Sequence, residues 1–177
     1  MYTPREDSYM LAEQVARFAK GRVIDMGTGS GIQANVAAEK PEVTSVLAVD
    51  IDKESIDYCK KNIINPKITF EESGLFSKVT GEFDTIIFNP PYLPKDKGIT
   101  DRALYGGKKG HEIIEKFFRQ VSSHLAENGI ILLLFSSFTN RDKVEQVIDK
   151  AGFTFKQIVT QHIFFEDLYV YLVERRK

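Results

Sequence analysis

At 177 residues the chain is long enough to bury a core unaided and short for two domains, so residues 1–177 read as one domain. Twenty-four Lys and Arg against 25 Asp and Glu leave a net charge of −1, which argues against a broad phosphate-binding face. The longest apolar run, residues 130–135, falls far short of the roughly 20 residues a membrane-spanning helix needs. Cys59 alone permits neither an internal disulfide nor a cysteine-based zinc site, and the opening Met1-Tyr2-Thr3-Pro4 is no secretory leader, so a cytoplasmic protein is expected.

Leu11, Val15 and Phe18 recur at helical spacing behind Asp7-Ser8, which predicts a helix over about residues 8–20, capped by that pair and closed by Gly21. Residues 22–26 read as a short buried strand, Gly27 to Gly31 as a glycine turn and 32–39 as an Ala-rich helix. A second strand over 46–50 and a helix over 53–62 complete a βαβ unit. Residues 67–71 and 83–88 predict two further strands, the latter stopped by Pro90 and Pro91. Residues 93–110, with Pro94 and four glycines, read as a long loop of the kind that carries function. A helix is predicted over 111–125, a strand covered on both faces over 129–135, a helix over 141–151 and a closing hairpin over 153–163 and 165–173. The whole is a Rossmann-like, doubly wound α/β sheet of seven strands, mostly parallel, with a C-terminal antiparallel hairpin.

Two motifs carry chemistry. In Asp25-Met26-Gly27-Thr28-Gly29-Ser30-Gly31 the glycines let backbone approach a ligand and direct helix N–H groups at it. The spacing lacks the two-residue gap of G-x-G-x-x-G, and Asp25 would repel a pyrophosphate, so a dinucleotide is disfavoured. An acid there suits an ammonium group, and Asp50, at the end of the next strand, suits ribose hydroxyls. S-adenosylmethionine carries both. The alternative is that the two acids merely finish their strands.

The second motif, Asn89-Pro90-Pro91-Tyr92, follows the fourth strand on the edge where open α/β sheets bind ligands. A planar –NH2 is a poor nucleophile because its lone pair is delocalised, so it must be positioned. The Asn89 side-chain oxygen and the Pro90 carbonyl can accept its two N–H bonds while Tyr92 stacks on the planar group. The plain alternative is a rigid proline turn. Cys59 reads as a small buried hydrophobe, and His111, His124 and His162 are too scattered to form a metal site, so no metal is expected. Lys95, Lys97, Arg102, Lys108 and Lys109 read equally well as a solvated loop or as a docking surface.

Together these residues resemble the class I S-adenosylmethionine-dependent methyltransferases. With Tyr2-x-Pro4-x-Glu6-Asp7-Ser8 and Gly106-Gly107-x-x-Gly110 they resemble the HemK family of release-factor glutamine methyltransferases, in its short archaeal and eukaryotic branch without the N-terminal helical domain. The resemblance spans essentially the whole chain. It implies that Tyr2, Pro4, Glu6, Asp7 and Ser8 close over the methionine end of the cofactor and that Asp25, Gly27, Thr28, Gly29 and Gly31 line its amino-acid part. Asp50 would take the ribose and Ile51 would pack on the adenine, with Ser73, Gly74 and Leu75 beside it. Asn89, which also borders the cofactor, would hold the substrate glutamine with Pro90 and Tyr92. Relatives carry Ser-Asp where this chain has Ser73-Gly74, which leaves the usual acidic adenine contact without a counterpart.

The activity implied is N5-methylation of the glutamine in the Gly-Gly-Gln loop of a translation release factor. An N6-adenine methyltransferase on DNA or RNA is the second reading, because adenine presents the same donors to Asn89, but flipping a base calls for a basic face or recognition domain that the charge and length argue against. Protein lysine methylation ranks third, and a non-catalytic scaffold is disfavoured by the complete Asn89–Tyr92 motif. The family resemblance also implies a small zinc-binding activator protein on an apolar sheet edge, for which residues 68–70 are the candidate strand.

Overall fold

The computed structural model describes residues 4–91, 110–163 and 165–177. Its elements in chain order are α1 (Glu6–Phe18), β1 (Gly21–Met26), α2 (Ile32–Ala38), β2 (Val43–Asp50), α3 (Lys53–Asn62), β3 (Ile68–Glu72), β4 (Phe83–Phe88), α4 (Glu112–Phe118), β5 (Leu125–Ser136), α5 (Arg141–Lys150), β6 (Phe153–Ile163) and β7 (Glu166–Arg175). One sheet runs in the order β3-β2-β1-β4-β5-β7-β6. Its first five strands are parallel, and β7 pairs antiparallel with both β5 and β6. The expected architecture stands.

Side chains alternate across the sheet because successive Cβ atoms point to opposite faces. In β5, Ile131, Leu133 and Phe135 face α4 and α5, packing with Ile114, Phe117, Phe118, Val144 and Ile148. Leu132 and Leu134 face the other way, with Met10, Leu11 and Val15 of α1 and Ala34, Ala37 and Ala38 of α2. The small alanines let α2 lie close to the sheet, which brings its N-terminus to the glycine loop.

Several boundaries differ from expectation. Helix α1 starts at Glu6, and its N-cap is Arg5 with no side-chain cap bond. Asp7 and Ser8 lie inside the first turn, and the Asp7 carboxylate reaches across the fold instead of capping its own helix. The helix predicted over 111–125 stops at Phe118, passes through a 3-10 turn at Val121–Ser123 and gives way to β5 at Leu125. Gly129, read as the start of that strand, sits at an irregularity within it: the pairing moves from Phe83↔Leu125 to Thr85↔Ile130. A Cβ on Gly129 would stand 2.8 Å from Leu125 Cδ1 and 3.0 Å from the Phe83 carbonyl oxygen, so this position takes glycine for lack of room. No helix follows β3; residues 73–82 cross to β4 through turns. Among the described residues, no helix is long and apolar enough to cross a membrane.

Candidate active site

The carboxyl ends of β1, β2 and β4 converge with the first turns of α1 and α2. Gly27 and Thr28 both donate their backbone N–H to the Val49 carbonyl, at 2.8 and 2.9 Å, hooking the glycine loop onto the end of β2. Gly29 donates to Asp50 Oδ2 at 2.9 Å and Asp52 to Asp50 Oδ1 at 2.9 Å. Each oxygen of Asp50 thereby holds one backbone N–H and keeps a second lone pair for a further donor. Gly31, at φ +79°, leaves no room behind the loop: a Cβ there would stand 2.3 Å from Ile63 Cδ1 and 3.0 Å from Cys59 Sγ. Gly27, at φ +72°, is the opposite case, with nothing within 4 Å of the position a Cβ would take.

Asp25 is 2% exposed. Its Oδ2 accepts from the Thr28 hydroxyl at 2.6 Å and from the Ala34 N–H at 3.1 Å, tying strand, loop and helix together. Burial, opposed by those two bonds and aided by the charge of Asp50, pushes its carboxyl up to about 7. Thr28, buried, spends its hydroxyl proton on Asp25. Cys59 lies behind the loop, its thiol against the Gly29 carbonyl at 3.4 Å and pushed up to about 11 by burial.

Beyond Asp50, Ile51 is 77% exposed. The carbonyl of Asp50 accepts from the Ser73 N–H at 2.8 Å, and a Cβ on Gly74 would meet Ile51 Cδ1 at 3.5 Å, so Ile51 and Gly74 stand side by side as an apolar ledge. The Ser73 hydroxyl donates to the Leu75 carbonyl at 2.8 Å and accepts from the Lys78 N–H at 3.1 Å. It is occupied in shaping its turn, in which Leu75 takes a positive φ of 51°.

The first turn of α1 spans the site. Asp7, 3% exposed, accepts from Asn89 Nδ2 at 3.0 Å, joining the two ends of the resembling motif across 82 positions of sequence. The Ser8 carbonyl accepts from Gln33 Nε2 at 2.8 Å, which clamps α1 to α2. Glu6 is exposed at the helix start and Pro4 is half-buried just before it. Because a carboxylate only accepts, the Asn89 –NH2 turns toward Asp7 and Oδ1 turns away. That Oδ1 is buried and has no hydrogen-bond partner among the described residues. Pro90 is buried beside it. Tyr2, Tyr92 and the lysines of the 93–110 loop lie outside the described residues. Sequence reasoning missed Gln33, whose only signal was its place one residue into α2, and the pairing of Asp7 with Asn89, which carries no local signal at all.

The residues fit the cofactor the sequence implied. The free space in front of Gly27 is room that a side chain would fill, two acids stand at the ends of β1 and β2, and an exposed apolar ledge continues from the second. The family model of the methyltransferase small domain matches residues 6–164. The chain belongs to that family. It is an S-adenosylmethionine-dependent methyltransferase of HemK type. A protein of Methanocaldococcus jannaschii, provisionally named a protein N5-glutamine methyltransferase, is 33% identical over 96% of this chain and 89% of its own length. The release factor glutamine methyltransferase of Lactococcus lactis is also 33% identical, over 93% of this chain and 66% of its own length. Among solved structures, the E. cuniculi Mtq2-Trm112 complex, described as responsible for methylation of the eRF1 translation termination factor, superposes with a TM-score of 0.80 at 22% identity over 98% of both chains.

Proposed function

We propose that this methyltransferase transfers a methyl group to the side-chain amide nitrogen of a glutamine, in the Gly-Gly-Gln loop of a translation release factor. The observation that carries this reading is the buried Asn89 Oδ1, which has no partner among the described residues while the Asn89 –NH2 is held by Asp7. A buried acceptor without a donor is unfavourable and fits a ligand that brings an N–H. When bound, S-adenosylmethionine supplies a methyl group activated by its sulfonium.

The chain's own part is to position. Gly27, Gly29 and Gly31 present backbone to the amino-acid end of the cofactor, Asp25 lies beneath that loop, Asp50 faces the ribose and Ile51 the adenine, with Ser73, Gly74 and Leu75 at its margin. Pro4, Glu6, Asp7 and Ser8 stand over the methionine end. Asn89 Oδ1 and the Pro90 carbonyl accept the two N–H bonds of the substrate amide and so fix its nitrogen toward the methyl group. Both acceptors stabilise the positive charge that grows on nitrogen during transfer. Tyr92, outside the described residues, is assigned by the family resemblance to the substrate amide. No base is required beforehand, because the alkylated nitrogen turns acidic and sheds its proton to water.

The names of the relatives support glutamine and a release factor as substrate, and the net charge of −1 supports a protein over a nucleic acid. Strand β3 closes one edge of the sheet, with Ile68 and Phe70 half-buried on it. We assign that edge to a small zinc-binding activator protein, in keeping with the Mtq2-Trm112 complex. The setting is the cytoplasm, where release factors act. The test is mass spectrometry of a class 1 release factor after incubation with the chain and cofactor, with and without the activator. One added methyl on the Gly-Gly-Gln glutamine, lost in Asn89→Ala with cofactor binding retained, is the expected result. No added methyl on glutamine, with cofactor bound, overturns the substrate assignment.

A further inference from the structure

Asp7 and Ser8, consecutive residues in the first turn of α1, each receive a side-chain –NH2 from another element. Asp7 accepts from Asn89, just past β4, at 3.0 Å, and the Ser8 carbonyl accepts from Gln33, in the first turn of α2, at 2.8 Å. A carbonyl, like a carboxylate, only accepts, so the Gln33 amide is turned as that of Asn89 is, with –NH2 toward α1 and Oε1 away from the Ser8 carbonyl. Gln33 is 4% exposed, and its Oε1 is shielded and has no hydrogen-bond partner among the described residues. Besides Asn89 Oδ1, three other atoms share that condition, Gln14 Oε1, His111 Nδ1 and Glu166 Oε2, and none of the three stands at the glycine loop. Gln14 lies about 9 Å beyond Ser8 along α1. His111 is the N-cap of α4, which packs on the opposite face of the sheet from α1 and α2. Extending the pairs Phe88↔Leu133 and Ser136↔Leu168 puts Asn89 level with Leu134 and Glu166 level with residue 138, well past the site.

Gln33 is tied to the loop and to α1 at once. Gly31, the last glycine of the loop, is the N-cap of its helix, and the N–H of the following residue, Ala34, donates to Asp25 Oδ2 at 3.1 Å. Its amide therefore stands between the glycine loop and the first turn of α1, the two elements assigned above to the amino-acid end of S-adenosylmethionine. That end carries an ammonium with three N–H bonds and a carboxylate with none, so the ammonium is the donor that a shielded oxygen there can receive. Asp25 does not meet all three, since its Oδ2 already accepts from the Thr28 hydroxyl and the Ala34 N–H. We infer that Gln33 is a cofactor-binding residue whose Oε1 accepts an N–H of the cofactor's α-ammonium group. The inference rests on the placement of the cofactor given above and is independent of the methyl-accepting substrate. A neutral amide suits the position. Asp7, Asp25 and Asp50 already bring three carboxylates to this edge, and an amide oxygen adds an acceptor without adding to their repulsion.

The experiment is calorimetry on the native chain, Gln33→Met and Gln33→Glu with two ligands, S-adenosylhomocysteine and its analogue bearing hydrogen in place of the amino group. The native chain is expected to bind the amino-bearing ligand more tightly. Gln33→Met is expected to cut that preference about tenfold, the worth of a hydrogen bond to a charged group, and Gln33→Glu, which keeps an acceptor oxygen, to retain most of it. Losing the bond to Ser8 weakens both ligands alike and cancels in their ratio, as does any unfolded fraction. A preference in Gln33→Met within about twofold of native, or one lost equally in Gln33→Glu, overturns the inference alone and leaves Gln33 as a link between α1 and α2. A native chain that does not distinguish the two ligands overturns the placement of the cofactor as well. A further readout needs no variant: the Nε2–H2 resonances of Gln33 in the native chain should shift with S-adenosylhomocysteine and stay in place with the analogue, and equal shifts with both overturn the inference.

Discussion

Replacing Asp7 with asparagine keeps the volume and an acceptor for Asn89 but removes a charge. The carboxylate stands 3.0 Å from Asn89 Nδ2. Adding the width of the amide and a further hydrogen bond of about 2.9 Å puts the reacting nitrogen roughly 8 Å from that charge. At an effective dielectric constant of about 20, a full positive charge at that distance is stabilised by roughly 2 kcal/mol, and a half-developed one by about 1 kcal/mol. Asp7→Asn should then lower kcat roughly five- to thirtyfold, with a little more lost because asparagine no longer dictates which way the Asn89 amide turns. The assay is single-turnover methylation at saturating cofactor and substrate, with cofactor affinity measured separately by calorimetry. If Asp7 serves Asn89, kcat falls and the cofactor Kd stays within about twofold. A variant that turns over normally at saturation yet binds cofactor weakly would refute this reasoning and return Asp7 to the purely cofactor-binding role its motif suggested.

Two further tests address the cofactor loop. Asp25 holds its proton to about pH 7 in the fold but only to about 3.8 when exposed, so the folded chain binds the extra proton and its stability falls as pH rises from about 4 to 7. The full displacement corresponds to roughly 4 kcal/mol. Asp25→Asn should flatten that slope in denaturant melts; if Asp25 also meets the cofactor's ammonium, binding at pH 6 releases close to one proton in the native chain and none in the variant, read from calorimetry in two buffers. Gly31→Ala places a methyl against Ile63 and Cys59 at a positive φ, and a loss of roughly 2 kcal/mol or more is expected. Gly27→Ala meets no atom within 4 Å, so it should weaken cofactor binding while lowering Tm far less; equal thermal losses in the two variants would contradict the geometry.

What was legible in the sequence was whatever depends on neighbours along the chain. The βαβ unit, the glycine loop and the proline stop after Phe88 follow from periodicity and backbone chemistry, and α3, β4 and β6 run over the residues expected. The start of α1 was misplaced because Asp7 has the composition of a cap, while its carboxylate is held by a residue 82 positions away. Gly129 looked like a strand boundary because the crowding that requires it, from Leu125 and Ala126 of its own strand and from the Phe83 carbonyl of β4, appears only once the strand is bent and paired. Ser73, expected beside the adenine, has its hydroxyl in its own turn.

The strand order β5-β7-β6 places the last strand of the chain inside the sheet rather than at its border. Strand β5, whose residues 131–135 are wholly buried in the finished fold, has no partner on that side until Glu166–Arg175 arrives. An incomplete chain ending after β6 would therefore display its most apolar strand with open backbone hydrogen bonds, the combination that templates association between chains. Synthesis and proteolysis bear on this protein unequally: trimming at the N-terminal end disturbs the catalytic edge, whereas losing the final dozen residues converts a central strand into an adhesive one. For production, quality control of the C-terminus matters more than that of any surface loop.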